Sequence, residues 1–332
     1  MSSLNTLLDR AQRFAPEYAG RLSNHLPMAL IALHTLGAND EQLDRAFANA
    51  SRRLEPAPPT AEPCIDWAAL RGQPPAFAAI HAYFVREIST HGFDAVLRRV
   101  LPLLIDGVGG NAFHGLLRLG LATVARHDTE IASGLAHWAC SHMPLAKTAS
   151  SDVGNARTHW PATPELRTWL TDMTSAPTRW SAHDGMISNR MLAYSKNEAF
   201  QRTAPRLHIH DDSLRELATV ALEHYLRSRN FTVLHLVTSA HAMRILSSYF
   251  DEPNAAIHHY AIAFAAGVAA SGIDGNACAL PVTSRAWDEL IATACSAEDE
   301  HEIKLVYASR EEFLATGDDR YRAAAGLVLS RD

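Results

Sequence analysis

Apolar residues recur every three to four positions along most of this chain, the spacing of one buried face of an α-helix. The first clear case is PMALIALHTL, Pro27 to Leu36, which stops at Gly37 as a helix with a C-terminal glycine does. Asn39 or Asp40 can cap a second helix, Glu41–Leu54, which runs into EPAPPTAEP. The prolines make Glu55–Pro63 a surface loop. The same recurrence predicts helices over Ala76–Thr90, Ala112–Arg126, Thr129–His142, Ser213–Arg227, Thr232–Phe250 and Ala255–Ala270. Ser296, with Asp299 three residues on, reads as a capping box opening a last helix to about Ala315, before Gly317. No train of alternating strands and no repeat of fixed period appears. The expectation is an all-α protein, one helical unit over residues 1–332. Residues 150–183, richer in Thr, Pro, Trp and Asp, form an irregular excursion and a candidate lid or lobe boundary.

Composition narrows the function classes. With 332 residues, 47% of them hydrophobic, the chain can bury a large core. A net charge of −6 and scattered Lys and Arg argue against a nucleic-acid or anionic-membrane partner. Cys64, Cys140, Cys278 and Cys295 have no CxxC spacing and read as free thiols of a reducing compartment. The N-terminal MSSLNTLLDRAQRF lacks the apolar core of a signal peptide, and Ala255–Ala270 is too short and polar to span a bilayer. These features predict a cytoplasmic protein, with a homodimer as the default assembly. Histidine changes the picture most. There are 18, and imidazole is the side chain best suited to metal ligation and to proton transfer near neutral pH.

Four stretches hold the candidate chemistry. In SNHLPMALIALHTLG, His25 stands at a helix entry just before Pro27, where it either aims into a cavity between helices or bonds locally. In DGVGGNAFHGLLRLG, Gly107, Gly109 and Ala112 match the G-x-G-x-x-A of a dinucleotide site, but helix follows helix and Pro102 sits in the would-be strand. A glycine-rich turn delivering a helix near Asn111 fits better. His114 and Arg118, four residues apart on that helix, then share a face as a metal ligand and an anchor for an anion or carbonyl. In FTVLHLVTSAHAMRIL, His235 and His241 interrupt an apolar helix about 120° apart around its axis, so they are not an i, i+4 ligand pair; both still line one cavity if the helix is surrounded, or are satisfied core histidines, and Arg244 follows. In DEHEIK, His301 and Lys304 lie on neighbouring faces. An ammonium has no lone pair, so Lys304 ligates a metal only when deprotonated or carboxylated by CO₂, and the bland alternative is an exposed first turn. The His-Asp strings RHDTE, AHDGM and HIHDD invite an HD-type metal hydrolase, whereas H-E-x-x-H, G-x-S-x-G and P-loop signatures are absent.

NHLPMALIAL, FHGLLRLG, LHLVTSAHAMRIL and DEHEIKL, in this order, resemble the questin oxidase family, over about residues 15 to 325. Members of that family are all-helical enzymes of fungal aromatic polyketide pathways that cleave an anthraquinone ring oxidatively, in a Baeyer–Villiger-like reaction with NADPH implicated. The resemblance implies a non-haem iron held by histidines and a carboxylated lysine. Carried onto this sequence, the imidazole ligands are His25, His114, and His235 or His241, with His301 a further candidate and Lys304 the carboxylated ligand. Imidazole and oxygen donors suit Fe(II), and Arg118 or Arg244 would stabilise negative charge on bound oxygen or substrate. The partners so implied are a small aromatic substrate and O₂. The chain is shorter than typical fungal members and carries no flavin or nicotinamide fingerprint. Three classes therefore stand: a metal-dependent oxygenase, an all-α metal hydrolase of HD type, and a non-catalytic helical protein with an apolar pocket.

Overall fold

A computed structural model describes residues 3–146, 165–176, 185–273 and 285–330, and almost all regular structure in it is helical. One two-stranded hairpin, β1 (Glu17–Tyr18) with β2 (Leu22–Ser23), is the exception. The all-α expectation holds.

The long helices fall close to where the periodicity puts them. α2 is Leu26–Thr35, with proline in its first turn and every residue from Leu26 to Leu33 buried. α3 is Asp40–Ser51, capped by Asn39, whose side chain and that of Gln42 exchange hydrogen bonds with each other's backbone N–H. α4 (Phe77–His91) ends at Gly92, whose φ of +75° is open to glycine. α6 (His114–Ala125) and α7 (Asp128–Cys140) cross where their glycines allow: a Cβ on Gly115 would stand 2.5 Å from the Trp138 Cα. α11 (Ser213–Ser228), α12 (Phe231–Leu246) and α13 (Pro253–Ser271) follow, then α15 (Glu300–Thr316) before Gly317. α12 packs against α6, α11, α13 and α15, and α2 packs against α6 and α15. That arrangement brings the first turns of α2, α6, α12 and α15 towards one another.

Several details depart from the sequence reading. Asp299 alone caps α15, taking the His301 N–H, while Ser296 turns back to the Ala292 carbonyl, so there is no capping box. The helix expected from Asn111 starts three residues later. Asn111, Ala112 and Phe113 adopt left-handed backbone conformations that no helix tolerates. The fingerprint residues Gly107, Gly109 and Ala112 lie in short 3₁₀ turns packed on the end of α7, and no strand precedes them. Short helices went unread: α1 (Leu4–Ala11), α5 (Phe93–Val100), α8 (Leu166–Met173), α9 (Ile187–Ser195), α10 (Glu198–Thr203), α14 (Trp287–Ala294) and α16 (Arg320–Val328). α8 falls inside the expected 150–183 excursion, most of which lies outside the described residues. Cys64, Cys140 and Cys295 are free thiols; Cys278 also lies outside. Among the described residues no helix is long and apolar enough to cross a membrane.

Candidate metal centre

Four helix starts each deliver one imidazole to the same place. His25 precedes the first residue of α2 and makes no capping bond, so its ring is free to turn inward. The left-handed run Asn111–Phe113 swings the chain so that His114 opens α6 facing the interior. His235 stands one turn into α12 and His301 in the first turn of α15. The rings close a cycle: centroids are 4.8 Å apart for His25–His114, 5.1 Å for His114–His235, 5.4 Å for His235–His301 and 4.6 Å for His301–His25. Lys304, one turn beyond His301, is almost fully buried and acts electrostatically on all four rings.

The outer nitrogens fix the inner ones. Nδ1 of His114 meets the Asn111 carbonyl at 2.5 Å, and Nδ1 of His235 meets the Phe231 carbonyl at 2.8 Å. Nδ1 of His301 meets the Asp299 carboxylate at 3.0 Å. A carbonyl or carboxylate oxygen only accepts, so each Nδ1 carries the hydrogen, and in a neutral ring Nε2 keeps its lone pair. This backing of one ring nitrogen by an oxygen is how metal-binding histidines are held. His25 and His114 meet Nε2 to Nε2 at 2.7 Å, with His25 the donor in that tautomer assignment.

Charge points the same way. Burial, then the neighbouring Lys304 and imidazoles, hold His25 well below the ordinary histidine value. His114 and His235 are depressed as strongly and His301 to a lesser degree, burial being the main cause each time. Neutral imidazoles are the form that ligates. Burial also lowers Lys304 to about 8 against the pull of Glu300 and Asp299. At pH 7 that lifts its neutral fraction from well under a thousandth to about a tenth. As placed, no three His, Cys, Asp or Glu side chains among the described residues surround one point closely enough to hold a metal ion. The donor chemistry fits one nonetheless: four neutral imidazoles, three with their donor nitrogen set by the group behind, and an amine primed to become an oxygen donor.

The other candidates are engaged elsewhere. His241 is not brought to the cluster: its Nδ1 lies 2.7 Å from Glu312, its ring stands edge-on to Tyr307, and its Nε2 is buried without a partner. Arg244 donates to the same Glu312 oxygen at 2.7 Å and is partly exposed. Arg118 grips Glu130 with Nε and Nη2 at 2.6 and 2.9 Å, pinning α6 to α7 in the core. Both arginines are thus bound to carboxylates. Of the His-Asp strings, His127 caps α7, HIHDD is a largely exposed turn, and His183–Asp184 lie outside the described residues.

Three residues of the site were not read from the sequence. Asn111 offers its carbonyl to His114 and its amide to Glu17, Ser23 and His137. Asparagine directly after two glycines was the available signal, since it tolerates the left-handed region better than most residues. Asp299 reads from the sequence only as part of a capping box and as a charge at a helix start. Phe231, four residues before His235, lies 4.8 Å from that ring and 4.7 Å from His301, yet is 54% exposed, so it stands between the cluster and solvent.

The model of one protein family, described as questin oxidase-like, matches residues 22–309 of the 332. The chain belongs to the questin oxidase-like family. The match begins just before His25 and ends beyond Lys304, so it takes in the whole cluster. Membership in the questin oxidase-like family makes an oxidoreductase the functional class of the chain. No curated protein matches it.

Proposed function

We propose that this questin oxidase-like protein is a metal-dependent oxygenase, using non-haem Fe(II) to oxidise or cleave a flat quinone or phenol of aromatic polyketide type. The reading rests above all on one observation: His25, His114, His235 and His301 form a closed ring around which Lys304 is buried, and three of them are backed at Nδ1. His25, His114, His235 and His301 would hold the ion through Nε2. Lys304 joins them after its neutral amine adds to CO₂: a C–N bond forms, one proton leaves, and the carbamate oxygens become anionic donors. When bound there, Fe(II) supplies Lewis acidity and one-electron chemistry towards O₂.

The protein's own part is positional. Asn111, Phe231 and Asp299 hold three rings in one tautomer, so little reorganisation is needed on binding. His114, His235 and Lys304 are buried, His25 and His301 half-buried, and desolvation favours the neutral form of all four imidazoles. Phe231 offers an aromatic face at the solvent side, suited to stacking on a flat substrate. NADPH enters this reading only as the electron donor that the family resemblance implies.

The test is elemental analysis of untagged protein, purified and after anaerobic addition of Fe(II) and bicarbonate. The expected result is about one iron per chain, lost in His114→Ala and in Lys304→Ala, with oxygen uptake on adding quinols or phenols. Protein that holds no iron under these conditions would overturn the metal mechanism. Iron held equally well by Lys304→Ala would remove the lysine from the site.

A further inference from the structure

Behind the histidine cluster, on the outer side of α2 and α15, lies a cleft of about 240 Å³. Its floor is apolar, formed by Leu26, Ala29 and Leu33 of α2 and Ile303 of α15. One wall is α3 and the residues just past its end, which contribute Arg45, Arg52 and Arg53; the other is the turn from α14 into α15, with Glu298 and Glu300. Three guanidinium groups against two carboxylates leave the lining positive, in a chain whose net charge is −6.

The carboxylates are already engaged. Glu300 is buried and ion-paired with Arg53, and Glu298 takes the Asn49 amide at 3.4 Å. Arg45 is steadied by one bond from Nη2 to the Cys295 carbonyl at 3.1 Å, and among the described residues no carboxylate pairs with Arg45 or Arg52. Two guanidinium forks are therefore free to grip an anion, and guanidinium matches a planar carboxylate with two parallel hydrogen bonds. The volume is just under the roughly 300–1,000 Å³ usual for small-molecule sites, which suits one or two rings and excludes a dinucleotide.

We propose that this cleft is a binding site for a small aromatic carboxylate, its ring on Leu26, Ala29, Leu33 and Ile303 and its carboxylate on Arg45 and Arg52. The site is separate from the oxygenase reading, since it needs no metal. It backs onto the cluster all the same: Leu26 follows His25, Glu300 precedes His301, and Ile303 precedes Lys304.

Calorimetric titration of the full chain as purified, with 1-naphthoate, 1-naphthalenemethanol and inorganic phosphate, tests it. Naphthoate is expected to bind at a single site, about tenfold or more tighter than the neutral alcohol or phosphate. In the double variant Arg45→Ala/Arg52→Ala its affinity is expected to fall about tenfold or more. Both side chains are exposed, so the urea transition of the variant is expected to match the parent. Treatment with a chelator is expected to leave naphthoate binding unchanged. Equal affinity for the alcohol or for phosphate, or an unaltered affinity in the double variant, would overturn the proposal. Loss of binding on chelation would move the ligand to the histidine cluster and overturn it as well. None of these readouts depends on catalytic turnover, so they stand apart from the fate of the oxygenase reading.

Discussion

His235 and His241 sit six residues apart on α12, and each is 2% exposed. Their surroundings are opposite. His235 gives Nδ1–H to the Phe231 carbonyl one turn back and turns its other nitrogen towards imidazoles and Lys304. His241 lies against Glu312, which also holds Arg244, and is packed on Tyr307. Burial works against the charged form of Glu312, yet His241 and Arg244 hold its carboxyl below the ordinary value. A buried histidine beside a carboxylate that an arginine shares is part of an ion-pair network tying helices together. One backed by a carbonyl, among other neutral rings, keeps a free lone pair. The partner, more than the burial, separates structural histidines from candidate ligands.

Removing the shared carboxylate is the strongest way to break this comparison. Glu312→Ala takes the carboxylate from Nδ1 of the buried His241 and from Nε of Arg244, leaving only the long Arg244 Nη2–His241 Nδ1 contact at 3.5 Å. The expected loss is about 2–3 kcal/mol in urea unfolding, because His241 stays buried without its carboxylate partner. Iron content is expected to be unchanged. If Glu312→Ala unfolds at the parental midpoint, or if it loses iron while folded, the division between the two histidines fails.

Much of this was legible in the sequence and some was not. A periodicity read over eleven to eighteen residues finds the long helices and dilutes the short ones. α5 shows the limit: Phe93, Val96, Leu97 and Val100 keep helical spacing, but the eight-residue helix runs straight into the strand-like VLPLLID, where Pro102 forces a 3₁₀ turn. The site divided in the same way. His25, His114 and Lys304 interrupt apolar helix starts and match the family resemblance, whereas the 120° between His235 and His241 left both able to line one cavity if α12 is surrounded. Which of the two meets the others depends on how α12 is rotated against α6 and α15, a tertiary fact. The partners of the arginines were equally hidden. Arg118 reads as an anion anchor until Glu130, twelve residues on in the next helix, is seen to take two of its three guanidinium nitrogens.

A third kind of buried histidine sharpens the contrast through pH. His258 on α13 is lowered to about 4 by burial and by His259 beside it, despite a bond to the Ala204 carbonyl. Its folded value lies below the unfolded value near 6.5, so the unfolded chain takes up the proton first as pH falls. The contribution is constant above about pH 6.5 and is lost progressively from there down to about 4. On going from pH 7.5 to 5 the parent is expected to lose about 1–2 kcal/mol more stability than His258→Gln, once partial exposure is allowed for. Urea midpoints of both proteins at the two pH values check it. Parallel shifts would show that acid sensitivity comes from other groups.

The finest test is on the group behind His301. Asp299 does two things with one oxygen: it caps α15 through the His301 N–H at 2.8 Å and accepts Nδ1–H of the same residue at 3.0 Å. Asparagine caps as well as aspartate, so Asp299→Asn is expected to change unfolding by no more than about 0.5 kcal/mol. What it removes is the negative charge behind the ring, which makes the opposite nitrogen a better donor. In the metal reading, iron affinity measured by chelator competition is expected to drop about tenfold, at the small end for such supporting partners. An unchanged affinity would mean that His301 lies beside the centre without holding the ion. A fall in stability with affinity intact would return Asp299 to a capping role, and the carbonyl-backed pair His114 and His235 would then carry the ligand argument with His25 and Lys304.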